Sequence, residues 1–159
     1  MIKTIISDFS QVLLFVKDKT YQGTLNGLHK ELLDKSGSYS FFDYFEINQE
    51  LLEFYRAQKS KLSVNLYTTG TIQNMPEIRE MIDPVFDNIF SARDFNAEKS
   101  EPDGYKKIIK LLKIYSDEAI FIDDQEENLI AAGKLGIHTL RYRTNKELLE
   151  KLRMDYELY

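Results

Sequence analysis

The sequence predicts an α/β fold, a parallel β-sheet covered by helices on both faces, and three observations carry that prediction. Short apolar runs alternate with stretches of helical period along the chain, the pattern of βαβ units. Each main run ends in a polar residue able to do chemistry. The chain has 159 residues, enough for about one domain with a proper core.

The first run, "TIISDF" (4–9), breaks at Asp8. A buried strand excludes an unpaired carboxylate, because desolvating the charge is expensive. At the C-terminal end of a central parallel strand the same residue sits where α/β proteins place their active groups. The second run, "LSVNLYT" (62–68), ends at Thr68, and a weaker one, "NIFSA" (88–92), follows. "AIFIDD" (119–124) ends in Asp123 and Asp124, and "HTLRY" (138–142) closes the series.

Helical pattern fills the gaps. "NQELLEFYRAQK" (48–59) leads back to the second strand. Tyr105, Ile108, Ile109 and Leu112 fall at i, i+3, i+4 and i+7, with Pro102 and Asp103 suited to the first turn. "EENLIAAGKLGI" (126–137) reads as a short helix ended by Gly136, and "NKELLEKLRM" (145–154) as a closing helix. Residues 17–46 break the rhythm with Gly23, Gly27, Gly37, several serines and the aromatic cluster "SYSFFDYF" (38–45) around a helical piece, "LNGLHKELLD" (25–34). Placed after the first strand, this insertion lies over the C-terminal edge of the sheet. It is either a lid or an irregular crossover whose aromatics pack on the core.

Bulk properties narrow the classes. Hydrophobic residues at 43% and charged residues at 30% describe an ordinary globular protein. A net charge of −5 argues against a nucleic-acid surface. Lys106, Lys107, Lys110 and Lys113 interleave with Ile108, Ile109 and Leu112, as on a solvated helix face. With no cysteine, disulfides, thiolate metal sites and cysteine nucleophiles are excluded together. No run approaches the roughly 20 apolar residues of a membrane span, and Asp8 interrupts the opening where a signal peptide needs its apolar centre. The expectation is a cytoplasmic protein without membrane or nucleic-acid partners; nothing in the sequence sets an oligomeric state.

Parallel strands point the same way, so Asp8, Thr68, Asp123 and Asp124 converge at one edge. Three carboxylates brought together repel unless a cation lies between them, and oxygen-only ligands favour Mg²⁺ with a substrate phosphate.

On these residues the chain resembles the haloacid dehalogenase-like hydrolases, over about residues 3–143 and through four motifs in order. "DFSQVL" from Asp8 is similar to the family's strand ending in Asp-x-Asp-Gly-Thr/Val, and "LYTTG" matches its second motif at Thr68. "KSEPDGY" (99–105) matches the lysine motif at Lys99, Pro102 and Tyr105, with Glu101 for the family's Asp. "IFIDDQEENLIAAGKLGI" (120–137), with Asn128 four residues past Asp124, fits the fourth throughout and is the most specific.

The resemblance implies a Rossmann-like, three-layer α/β/α core over residues 1–16 and 47–159, with residues 17–46 as a small inserted cap. It implies Asp8 as the nucleophile that takes a phosphoryl group. Asp8, Asp124 and the Ser10 carbonyl would ligate Mg²⁺, with Asp123 ligating or bracing. Thr68, Thr69 and Ser10 would contact the phosphoryl group, and Lys99 would neutralise Asp8 and the transferring group. Asn128 would brace the loop below. His138 starts a strand and reads as structural.

Ser10 departs from the pattern. The family's phosphatases carry there a second aspartate that protonates the leaving oxygen, worth about 10²–10⁴ in rate. A serine hydroxyl has no suitable pKa. Gln11 also stands where the family's turn has glycine. Three readings follow: a slow phosphatase for substrates with good leaving groups, an enzyme that borrows an acid from the insertion (Lys17, Asp18 or His29), or a site kept for Mg²⁺ and phosphate binding alone. The first two predict turnover of a small phosphorylated metabolite.

Overall fold

A computed structural model describes residues 1–159. Along the chain come β1 (Thr4–Ser7), β2 (Leu14–Val16), α1 (Leu25–Ser36), α2 (Phe41–Tyr44), β3 (Phe45–Ile47), α3 (Gln49–Gln58) and β4 (Ser63–Thr68). Then follow α4 (Pro76–Ile82), β5 (Asn88–Ser91), α5 (Pro102–Leu112), β6 (Ala119–Asp123), α6 (Glu126–Gly133), β7 (His138–Arg141) and α7 (Asn145–Tyr156). Five strands form one parallel sheet in the order β5-β4-β1-β6-β7, as the alternating pattern predicts. From β1 the chain first builds outward through β4 and β5, then returns to β1's other side for β6 and β7. The reversal of direction opens a crevice beyond the C-terminal ends of β1 and β6, where ligands bind in such sheets.

Strand pleat sorts the core into two layers. Ser7 is level with Leu66 and with Ile122, so Ile6, Tyr67 and Phe121 share one face, and Ile5, Leu66 and Ile122 the other. The first face packs on Tyr105 and Ile108 of α5 and on Leu129 and Ala132 of α6. The second face packs on Leu51, Leu52 and Tyr55 of α3, Ile78 and Ile82 of α4, and Leu148 and Leu152 of α7. The result is a three-layer sandwich.

Helix starts follow their caps. The Thr24 hydroxyl accepts from Gly27 N–H at 3.0 Å, the Asn48 side chain from Leu51 N–H at 3.2 Å, and Thr144 from Glu147 N–H at 3.2 Å. α5 begins at Pro102, as its sequence predicts. α6 ends before the expected stop at Gly136: it stops at Gly133, and the chain turns before Gly136 takes a left-handed φ of 84°.

Four elements, β2, β3, α2 and α4, are absent from the sequence prediction. β2 and β3 form an antiparallel hairpin with Val16 opposite Phe45, so the chain between them leaves and returns at one place. α4 is two turns between Pro76 and Pro84. Within the connection, Leu25 and Phe41 enter the larger core. Phe41 and Phe45 stack at 4.7 Å, while Phe42 and Tyr44 are exposed. The buried members of the aromatic cluster, Phe41 and Phe45, pack on the core. No helix is long and apolar enough to cross a membrane.

Candidate active site

Asp8 follows β1 directly, its N–H donating to Ile122 C=O at 2.8 Å, which continues the ladder one step past the strand. This sets Asp8 level with Asp123, the last residue of β6, on the face of Ile6 and Phe121. Lys99 arrives from the loop before α5, and its ammonium bridges the two carboxylates, 2.6 Å from Asp8 Oδ1 and 2.7 Å from Asp123 Oδ2. All three side chains are buried, Lys99 with 4% of its surface exposed and Asp123 with none.

The surroundings hold this cation still. The Tyr105 hydroxyl donates to Lys99 C=O at 2.7 Å, and the ammonium lies 5.6 Å from the ring centres of both Tyr67 and Phe121. Gly104 makes room for the Tyr67 ring, since a Cβ there would stand 2.0 Å from its hydroxyl. Asp123 is equally fixed. Its Oδ1 accepts from Gln125 N–H at 2.8 Å, and its Oδ2 accepts from Asn128 at 3.1 Å as well as from Lys99.

Burial pushes the Asp8 carboxyl up to about 7, even though the Lys99 charge pulls it down. Burial and the Asp123 charge also hold Asp124 above the usual carboxylate range. Burial alone would lower Lys99, but the Asp8 and Asp123 charges outweigh it and keep the ammonium above its ordinary value. Oxygens of Asp8, Asp123 and Asp124 lie within 4.8 Å of one another, three carboxylates against one ammonium. An all-oxygen donor set with excess negative charge suits a hard divalent cation.

Above the carboxylates lies a cavity of about 320 Å³ whose lining includes Asp8, Ser10, Gln11, Lys99, Asp124, Gln125 and Asn128. Gly23, Thr24, Leu25 and Asn26, at the start of α1, close the other side, and Leu25 is the one hydrophobic residue in the lining. The sequence carried no signal for this α1 wall or for Gln125. Thr69 lines the cavity, whereas Thr68 is buried at the end of β4, on the pleat side of Leu66. Of the predicted site residues, the structure thus brings together Asp8, Ser10, Thr69, Lys99, Asp123 and Asp124. It leaves Thr68 one step behind the wall.

The three acids offered by the insertion all lie elsewhere. Lys17 donates to Phe42 C=O, Asp18 accepts from Thr20, and His29 pairs through Nδ1 with the Tyr39 hydroxyl at 2.6 Å. None lines the cavity. Gln11 adopts φ 62°, in the left-handed region that favours glycine.

The family model for haloacid dehalogenase-like hydrolases matches residues 14–142. The chain belongs to this family. The matched span starts past Asp8 and Ser10, so those residues rest on geometry alone. No curated protein matches the sequence. Among solved structures, the chain is similar to a haloacid dehalogenase family enzyme of Bacteroides thetaiotaomicron in complex with magnesium and inorganic phosphate. That likeness has 16% identity, a TM-score of 0.69, and covers 91% of this chain and 96% of the other. A predicted hydrolase of the same family from Porphyromonas gingivalis has 17% identity and a TM-score of 0.66, over 96% and 98% of the two chains. A 2-haloacid dehalogenase of Pseudomonas syringae has 12% identity and a TM-score of 0.64, over 89% and 86%. The fold is common to different chemistries, so the reaction has to be argued from the site.

Proposed function

We propose that this family member is a Mg²⁺-dependent phosphohydrolase acting on a small phosphorylated metabolite through Asp8, in the cytoplasm. The observation that carries the reading is the buried Asp8–Lys99–Asp123 bridge beside Asp124, at the sheet edge under a polar cavity. Asp8 and Asp124, with the Ser10 carbonyl, would hold Mg²⁺, which supplies charge neutralisation for the carboxylates and the phosphoryl oxygens. Asp123 braces, since Lys99, Asn128 and Gln125 already occupy both its oxygens.

Asp8 attacks phosphorus, the bond to the leaving group breaks, and an aspartyl-phosphate forms; water then attacks phosphorus and returns Asp8 and inorganic phosphate. Lys99 stabilises the charge on the transferring group without reorganising, because its position is set by folding. Thr69 contacts a phosphoryl oxygen, and Thr68 anchors the strand end behind it. Residues 17–46 act as a reduced cap, with the first turn of α1 as the part that shields the cavity.

Asp8 and Asp124 are the only carboxyl groups in the lining, and no histidine joins them. With Ser10 in place of an acid, the site suits leaving groups of low basicity, which depart without a proton. The same observation favours a second reading, a phosphate- and cation-binding protein with little turnover.

Turnover of p-nitrophenyl phosphate, whose leaving group is weakly basic, separates the two. Mg²⁺-dependent hydrolysis that disappears in Asp8→Asn is the expected result. Activity that survives Asp8→Asn would refute the mechanism, and silence in wild type would favour the binding protein.

A further inference from the structure

The cavity over Asp8 does not end at its own wall. Asn26 and Thr69 also line a second cavity of about 400 Å³, which extends away from Asp8 between α1 and the loops after β4 and β5. The two cavities meet at a built junction. Gly70 has no side chain, and the Asn26 amide occupies its place: a Cβ there would stand 2.3 Å from Asn26 Oδ1. α1 is thereby seated on the loop after β4, with Asn26 and Thr69 forming the sill between the cavities.

Leu33 is the one hydrophobic residue lining the second cavity, and His29 is among the others. Its two cations come from opposite sides. Lys30 projects from α1, and Arg93 follows the C-terminal end of β5, at the same sheet edge as Asp8. Three of the six arginines are ion-paired: Arg56 with Glu53, Arg79 with Asp83, Arg141 with Glu126. Arg93 and Lys30 have no carboxylate within ion-pair distance, although Asp34 is in the same lining. Two unpaired cations lining one cavity, one a planar guanidinium, suit a carboxylate or phosphate.

We propose that the substrate carries a second anionic group, a carboxylate or a further phosphate, which Arg93 and Lys30 bind in this adjoining cavity while its phosphoryl group lies over Asp8. This rests on the phosphohydrolase reading for the site and adds the substrate class. A single-phosphate alcohol fills the first cavity alone; a phosphorylated acid or a bisphosphate spans both. Asn26 and Thr69 set which backbone can pass between them.

The test uses pairs of ligands alike except at the distal group: 3-phosphoglycerate against glycerol 3-phosphate, and fructose 1,6-bisphosphate against fructose 6-phosphate. Affinities are measured calorimetrically on Asp8→Asn protein with Mg²⁺, so the readout does not depend on turnover. The expected result is at least about a tenfold preference for the partner with the second anionic group, the range of a charge-assisted hydrogen bond. The pair that shows the preference identifies carboxylate or phosphate. Adding Arg93→Gln or Lys30→Gln should remove most of it, while Lys110→Gln, on the exposed face of α5, should leave it intact. Both basic positions are exposed, so loss of folding does not confuse the outcome. Equal affinity within both pairs, no binding of any ligand at millimolar concentration, or a preference that survives both substitutions would overturn the proposal. Failure of wild type to hydrolyse p-nitrophenyl phosphate would sink the hydrolase reading separately, leaving the affinity ratios to decide this one.

Discussion

Replacing Lys99 by Met removes the cation from between Asp8 and Asp123 while keeping a side chain of similar length in the hollow beneath Tyr67 and Phe121. Two unit charges 4.8 Å apart repel by about 3.5 kcal/mol at an effective dielectric near 20, and the carboxylate oxygens lie within that distance. Breaking a buried pair from one side typically costs about 3–5 kcal/mol, which agrees. Protonation of Asp8 relieves part of this, so the loss must depend on pH. In the folded wild type Asp8 sits at about 7, against about 3.9 when unfolded. A raised carboxyl stabilises the fold fully below about pH 4, and that contribution is lost as pH rises through 7. Without Lys99 the carboxyl rises further and the loss extends to higher pH. Urea denaturation of wild type and Lys99→Met at pH 5 and pH 8 measures it. The expected destabilisation at pH 8 is about 3–4 kcal/mol, exceeding that at pH 5 by about 1 kcal/mol for a further upward shift of about one unit on Asp8, which is still partly protonated at pH 8. Millimolar Mg²⁺ should return part of the loss at pH 8. Equal losses at the two pH values, or a loss below about 1 kcal/mol at pH 8, would refute the electrostatic account of the bridge.

Three further outcomes follow from other parts of the structure. Ser10→Asp restores a proton donor to the cavity lining, and turnover of phosphate esters with basic leaving groups should rise by about 10²–10⁴-fold in steady-state assays. Gln11→Gly relieves a side chain held at φ 62°, and should stabilise the fold by up to about 1 kcal/mol in thermal melts. Asn48→Ala removes the cap of α3 together with bonds to Val12 C=O, the Tyr142 hydroxyl and Asn145, and should cost about 2–3 kcal/mol by urea denaturation, summing a cap and the buried bonds around it.

The parallel sheet was legible because its strands are bounded by changes of period, and observed limits depart from the predicted ones by a residue or two. Asp8 fell one residue outside β1 for the reason that made it visible, since a carboxylate ends an apolar run. The β2–β3 hairpin was not legible. Each strand has three residues, no tight-turn signal joins them, and their pairing spans the whole insertion. α4 escaped because only Ile78 and Ile82 carry its buried period. Thr68 and Thr69 were adjacent in the sequence, and pleat direction, invisible in composition, decides which one meets the cavity. Arg93 carried no signal because nothing in the run "SARDF" marks a residue that the next loop leaves unpaired.

The hairpin gives the connection from Val16 to Phe45 the form of a handle, both ends fastened at one rim. A handle of this kind would be expendable if it were only attached. This one is also riveted along its length, since Leu25 and Phe41 lie in the main core and the Asn26 amide fills the hollow of Gly70. Deleting it would open the core, so the handle cannot be traded for another without rebuilding what lies beneath. Its outward residues are under no such tie. Exposed side chains such as Lys30 can therefore change one at a time over a fixed frame, each step nearly free of consequence for folding.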